Sequence, residues 1–205
     1  MRQVCIIKGF AMPLRADATE KRQHIIKTAY RLFKRDGFHA TGIDKIIAEA
    51  AVAKMTMYRH FPNKDGLIVE VLDWRAERFN RQLDQLTGTS MTPYEKIVAI
   101  LDWHERWFER LDFHGCLFQH AIAEFGEPAH AAFEAVARQK RGLQQRMRDI
   151  LAQDLPIDRA EHVATTLFML IEGATLLAHM GQGKAAIASA RRAAADVMAS
   201  AGPPQ

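Results

Sequence analysis

The chain has 205 residues, 48% of them hydrophobic, and a formal net charge of +4. That length and composition suit one or two domains with a packed core and exclude an intrinsically disordered chain. Two cysteines, Cys5 and Cys116, exclude a disulfide-built scaffold and point to a reducing cytoplasm, and no apolar run approaches the roughly 18 residues of a membrane span. The charge is uneven. Residues 1–60 hold 12 Lys+Arg against 5 Asp+Glu, and the remainder holds 16 against 19. A basic N-terminal third on a mildly acidic body implies an anionic partner for that third.

Residues 1–16 read as a disordered tail, with Met12 as an alternative first residue. Their apolar patch is too short, and too broken by Lys8, for a signal peptide. A first helix is expected from Thr19 to Asp36, capped by Asp17 or Thr19 and ended by Gly37. Ile25, Ile26, Ala29, Leu32 and Phe33 form its inward stripe. From Thr41 to Lys64 the pattern is two short helices around a tight turn, followed by a third helix. Thr41 and Asp44 are spaced as a weak capping box. Ile43, Ile46, Ile47 and Ala50 share one apolar face. Val52, Met57 and Phe61 face inward on the next helix, which leaves Lys54, Thr56, Tyr58, Arg59 and His60 outside. A short helix with such an outer face suits a DNA major groove, where cations hold phosphates and polar tips read base edges.

The run Ile46-Ile47-Ala48-Glu49-Ala50-Ala51-Val52-Ala53-Lys54-Met55-Thr56-Met57-Tyr58-Arg59-His60-Phe61, with Lys64 after a short gap, resembles the DNA-binding segment of the TetR (tetracycline-repressor) family. The upstream residues Arg22, Ile25, Ala29, Leu32, Phe33, Gly37, Phe38 and Thr41 fit the same pattern. The resemblance covers roughly residues 20–67 and implies a helix-turn-helix regulator. It implies backbone-phosphate contacts at Thr41, Thr56, Tyr58, His60 and Lys64, and base reading at Lys54, Met55 and Arg59. Four residues depart from the pattern. Ala51 replaces the turn glycine, Ala53 a capping serine, Met55 a small residue, and Gly42 a second Ser/Thr. If residue 51 has positive φ, its alanine costs about 1–2 kcal/mol. The lost cap costs about 1 kcal/mol.

Asn63 is expected to cap a long helix reaching Leu86, with Lys64 beside an N-terminus that favours phosphate. Thr87-Gly88-Thr89-Ser90 is a loop. Thr92-Pro93-Tyr94-Glu95 is a capping box with proline at the first helical position, and its helix runs to Arg110. After a break at Phe113-His114-Gly115, helices are expected over 116–125, 129–153, 159–180 and 185–199. Asp158 and Glu161 read as a cap pair, and Gly181-Gln182-Gly183 as a break. The helix 159–180 is apolar on more than one face, which suggests an interface as well as a core. The last two helices are expected to pair with their copies in a four-helix bundle.

The expectation is therefore an all-α homodimer. Its helix-turn-helix domain spans 17–62, a helical effector-binding and dimerisation domain spans 63–200, and 201–205 form a second tail. The expected partners are a pseudo-palindromic operator in double-stranded DNA, an apolar or aromatic small-molecule effector, and a second copy of the chain through the last two helices. No membrane is expected. Trp103, Trp107, Phe108, Cys116, Phe118, Gln119, His120, Phe168, Met169 and Glu172 are the candidate effector pocket, a bulky apolar set with a few polar groups. Cys116, His120 and Glu124 recur at i, i+4 and i+8 on one helix face. That spacing keeps a thiol- or metal-sensing repressor open as the alternative. The chain has no phosphate loop, Rossmann fingerprint or activated-nucleophile motif, so neither enzymatic activity nor a cofactor is expected.

Overall fold

The computed structural model describes residues 14–88 and 90–202, and all of their regular structure is helical. In chain order the helices are α1 (Leu14–Asp36), α2 (Ile43–Glu49), α3 (Lys54–His60), α4 (Lys64–Leu86), α5 (Pro93–Phe108), α6 (Leu117–Glu124), α7 (Ala131–Leu151), α8 (Ile157–Leu177) and α9 (Gly183–Ser200), with a π-helical turn, Ala178–Gln182, between the last two.

The start of α1 lies at Leu14, so Asp17 and Thr19 fall inside the helix instead of capping it. The tail and Cys5 readings fall on residues 1–13, outside the described residues, while 14–16 are helical. Thr41 does not cap α2 either. The N-cap is Gly42, without a side-chain bond, and the Thr41 hydroxyl donates to the Gly37 carbonyl at 2.7 Å. Two caps are as expected: Asn63 Oδ1 accepts from Gly66 N at 2.7 Å, and Thr92 and Glu95 form a reciprocal capping box. Helix α5 ends at Phe108. Helix α8 begins one residue after Pro156 with no side-chain cap, so Asp158 and Glu161 lie within it and are not its cap. At the far end Gly181, with φ +83°, breaks the helix where a break was expected and turns the chain back, so that α9 packs antiparallel along α8. By length and composition alone the apolar segment Ile157–Ser200 would pass for a membrane span. The α8/α9 pair packs its inner face on α5 and α7. Ala201, read as tail, is buried, and its carbonyl accepts from Arg159.

Two apolar cores stack along α4. Leu67, Ile68, Val71 and Leu72 complete the first, with Ile25, Phe33, Phe38, Ile46, Met57 and Phe61 from α1–α3. That core continues into Leu117, Phe118 and Ala121 of α6 and Ala132 and Val136 of α7. Phe79 and Leu83 of α4 belong to the second core, with Ile97, Leu101, Leu143, Met147, Leu167 and Ile171. Packing therefore has no gap at residue 62. Ion pairs bind the outer helices: Arg138 to Asp73 and Arg146 to Asp84 between α7 and α4, and Arg191 to Asp102 and Glu105 between α9 and α5.

Candidate nucleic-acid interface and effector cavity

The turn between α2 and α3 is a Schellman motif. Val52 N donates to Ile47 O at 3.3 Å, and Ala51 N to Ala48 O at 3.1 Å. Ala51 occupies the left-handed position with φ +49°, where glycine normally sits. Val52 and Ile47 pack together on the first core, which fixes the angle between the two helices. Met57 and Phe61 are buried beneath α3. Ala53 is its N-cap and provides no side-chain bond.

With Met57 inward, Lys54, Met55, Tyr58 and Arg59 share the opposite, exposed face. Met55 is 83% exposed and Tyr58 40%, so the tyrosine does not pack under the turn. Lys54 Nζ reaches Asp44 at 3.6 Å across two exposed side chains, a contact worth little in water. Arg59 makes no ion pair among the described residues. Thr56 and His60 flank this face, half-buried. His60 Nε2 is shielded from solvent with no hydrogen-bond partner, and burial, with Arg59, Arg22 and Lys21 nearby, pushes the ring pKa down. Lys64 Nζ stands 3.5 Å from the His39 carbonyl, at the start of α4. Thr41 is the exception among the expected phosphate contacts. It is fully buried, and its hydroxyl secures the α1–α2 turn instead of facing solvent.

In the body, a small internal cavity of about 30 Å³ is lined by Arg75, Phe79, Trp103, His104, Trp107, Cys116, Phe118, Gln139, Lys140, Leu143, Glu172 and Thr175. Its space is about that of one water molecule. Of the expected pocket, Trp103, Trp107, Cys116, Phe118 and Glu172 line it. Gln119 lies behind, donating to Glu172 Oε2 at 3.1 Å. The other four lie elsewhere. Phe108 packs between the second core and a small alanine-rich cluster, and Phe168 against the second core. His120 faces His179, with ring centres 5.2 Å apart. Met169 is 60% exposed on the outer face of α8. The periodicity of α8 places 167 and 171 inward, which turns 169 out.

Of the cavity's polar centre, sequence reasoning named Cys116 and Glu172 but missed Lys140. Lys140 Nζ pairs with Glu172 at 2.6 Å and lies 3.8 Å from Cys116 Sγ. Burial works to lower the Lys140 pKa, but Cys116 and Glu172 hold it above the ordinary lysine value. Burial brings the His104 pKa down to about 4, against the pull of its bond to Ile100 O. A signal for Lys140 and Arg75 was present, of the same kind as that at His104. Lys140 continues the apolar stripe Val136, Leu143, Met147; Arg75 continues Ile68, Leu72, Phe79; His104 continues Ile97, Leu101. A charged or polar residue at an inward helical position marks a partner inside.

Cys116, His120 and Glu124 do not converge. Cys116 meets Lys140, His120 meets His179, and Glu124 reaches the α1–α2 turn, accepting from Phe38 N at 2.9 Å and His39 N at 2.6 Å. Among the described residues no three His, Cys, Asp or Glu side chains gather around a metal-sized site. The neighbouring Gly115, φ +78°, has no room for a Cβ, since His179 lies 2.9 Å from that position.

Comparison with known proteins adds the following. The family model described as "Bacterial regulatory proteins, tetR family" matches residues 25–71. The HTH-type transcriptional regulator YxaF of Bacillus subtilis, itself described as uncharacterized, is 34% identical over 91 residues, 44% of this chain and 46% of that protein. YuxN of the same organism is 32% identical over 97 residues and is covered to 33%. The matched region thus spans less than half the length of either curated relative. Among solved structures, SCO4454, a TetR-family transcriptional regulator from Streptomyces coelicolor, aligns with a TM-score of 0.83 at 28% identity, covering 89% of this chain and 96% of that one.

Proposed function

The chain belongs to the TetR family of bacterial regulatory proteins, and from that membership we propose that it is a homodimeric, DNA-binding transcriptional repressor, released from a pseudo-palindromic operator by a small molecule. The family is one of transcriptional regulators rather than enzymes. The observation that carries the reading is the exposed face of α3, Lys54, Met55, Tyr58 and Arg59, held by a core in which Met57 and Phe61 are buried. Thr56, His60 and Lys64 flank it as backbone contacts, and Lys54 and Arg59 read bases, with guanine the favoured partner of a guanidinium. The protein works in the cytoplasm, where its DNA is.

Dimerisation is supported by the outer face of α8. Met169, Leu176, Leu177 and Met180 are 60%, 54%, 39% and 64% exposed. With Thr166 and Gly173 they form a stripe at alternating three- and four-residue spacing. A self-complementary patch of this kind suits a two-fold interface with α8 and α9 of a second copy. Two α3 helices then enter successive major grooves.

The internal cavity is too small for an effector as it stands, so an effector binds by preferring an expanded arrangement of the surrounding helices. Its differential affinity for that arrangement sets how far DNA binding weakens, typically by about 1–3 kcal/mol. Helix α6 supplies a route: Phe118 touches the cavity, and Glu124, under two turns away, holds the backbone of the α1–α2 turn.

The test is binding to DNA from upstream of the protein's own gene, against scrambled competitor. Tight, competitor-resistant binding with two chains per site is expected. Arg59→Ala is expected to cost about 1–3 kcal/mol on the operator and to relax sequence preference. Uniform weakening on all DNA would reduce Arg59 to a phosphate contact, and equal binding of scrambled DNA by the unaltered protein would sink the operator reading.

A further inference from the structure

Outside the internal cavity, and sharing its wall, lies an open cleft of about 370 Å³ between α1, α4 and α5. Its charge is one-sided: Lys34, Arg75, Arg78, Arg106 and Arg110 line it, with Asp112 as the one acid. Asp112 is already engaged, by Lys34 at 3.1 Å and Arg110 at 2.8 Å. The guanidinium groups of Arg75, Arg78 and Arg106 have no carboxylate partner among the described residues. One Arg75 nitrogen, Nη1, is shielded from solvent with no hydrogen-bond partner. Three unneutralised guanidinium groups on adjoining helix turns repel one another, and an arriving anion removes that repulsion.

The second property of the cleft is aromatic. Trp103 and Trp107 line it with ring centres 5.4 Å apart, and Tyr30 lies on the α1 side, edge-on to Trp74. The Arg75 guanidinium stands 5.7 Å from the Phe79 ring centre and 6.0 Å from that of Trp103, and Arg78 stands 5.8 Å from Trp74. These cations are therefore oriented on rings before any ligand arrives. Arg75 lies eleven residues along α4 from Lys64, about 16 Å of helix, so the patch stands well above the α3 face proposed to meet DNA. Its volume is in the range of small-molecule sites.

We propose that this cleft binds a small organic acid with a flat aromatic body. Arg75, Arg78 and Arg106 hold its carboxylate, and Trp103 and Trp107 hold its rings. Because Arg75, Trp103 and Trp107 also wall the internal cavity, the cleft is the mouth through which such an acid reaches it. The ligand class deepens the effector reading above and rests on it for its regulatory consequence, but not for binding itself.

The test is calorimetry on the full chain with benzoate, salicylate and 2-naphthoate, each against its neutral amide, and with inorganic phosphate. All three tryptophans of the chain, Trp74, Trp103 and Trp107, line or flank the cleft, so their fluorescence offers a second readout. At least one aromatic carboxylate is expected to bind saturably in the submillimolar range. Its amide is expected at least tenfold weaker, phosphate weaker still, and Arg78→Gln and Arg106→Gln at least tenfold weaker for the acid. Arg148→Gln, outside the cleft, is expected to bind the acid as the unaltered chain does. Equal affinity for acid and amide, acid affinity unchanged in both cleft variants, or no submillimolar binding of any of the three acids would each overturn the proposal. Phosphate binding as tightly as the acids would overturn the aromatic part. A chain that binds the acid in this way but shows no sequence-specific DNA binding would leave the cleft assigned and refute the repressor reading instead.

Discussion

Ala51 holds a left-handed backbone, φ +49°, at the one turn that sets the angle of α3. An L-residue there carries a cost of about 1–2 kcal/mol, partly offset because glycine loses more entropy on folding. Ala51→Gly is therefore expected to raise stability by about 0.5–1 kcal/mol with the fold unchanged, read as a shift in urea midpoint at constant slope. A drop in stability would show that the surrounding Schellman bonds, not the side chain, decide this position. The departure was legible in the sequence because the turn has a glycine-shaped place at a known offset. Thr41 was not. Its spacing to Asp44 matches a cap, but a hydroxyl can bond backward, and the Gly37 carbonyl won it. Met169 was misplaced for a related reason: α8 is apolar on two faces, and apolarity alone does not say which face is inside.

At the scale of the element, four helices turn a polar residue inward from an apolar stripe, Arg75 in α4, His104 in α5, Lys140 in α7 and Thr175 in α8, beside Gln139 of α7 and Glu172 of α8. They meet in a single layer around the cavity. Pattern alone announces each residue as an anomaly. That they lie at one level depends on helix packing offsets, which the sequence does not state. His104 gives the layer a pH dependence. Its folded pKa, about 4, lies below the ordinary 6.5 because burial disfavours the charged ring. Between those values the unfolded chain takes a proton that the folded chain refuses. Stability is therefore complete above pH 6.5 and falls as pH drops toward 4, by roughly 2–3 kcal/mol. His104→Leu is expected to flatten that decline in urea melts taken between pH 7 and 4.5; an unaltered slope would assign the decline to other groups. Helix α6 carries a different prediction. Glu124→Ala leaves Phe38 N and His39 N without their acceptor, at a cost of about 1–3 kcal/mol. It is also expected to blunt the effector's influence on DNA affinity. Full effector response in that variant would exclude α6 as the route.

For the whole molecule, the proposed dimer depends on the α8 stripe. Leu176→Glu places two like charges near the two-fold axis. The variant is expected to run as a monomer in light scattering and to lose operator affinity at least tenfold, because each half-site then binds alone. A stable dimer with Leu176→Glu would move the interface elsewhere. Within one chain, the all-helical class and the placement of most helices followed from periodicity and caps. So did the reversal at Gly181, because a glycine pair reads as a stop and the positive φ there suits glycine.

The shared use of α4 bears on engineering. A designer who wants the proposed sensor body to control another promoter would naturally exchange residues up to 62 and keep the rest. Such a splice would orphan Leu67, Ile68, Val71 and Leu72, whose partners lie in the part removed, and would leave Glu124 facing a foreign turn. A working transplant has to carry the first half of α4 with the reading head, join at about Arg75, and retain a glycine followed by two free backbone N–H groups for Glu124. The unit to be moved between proteins thus reaches about a dozen residues beyond the domain boundary expected at residue 62.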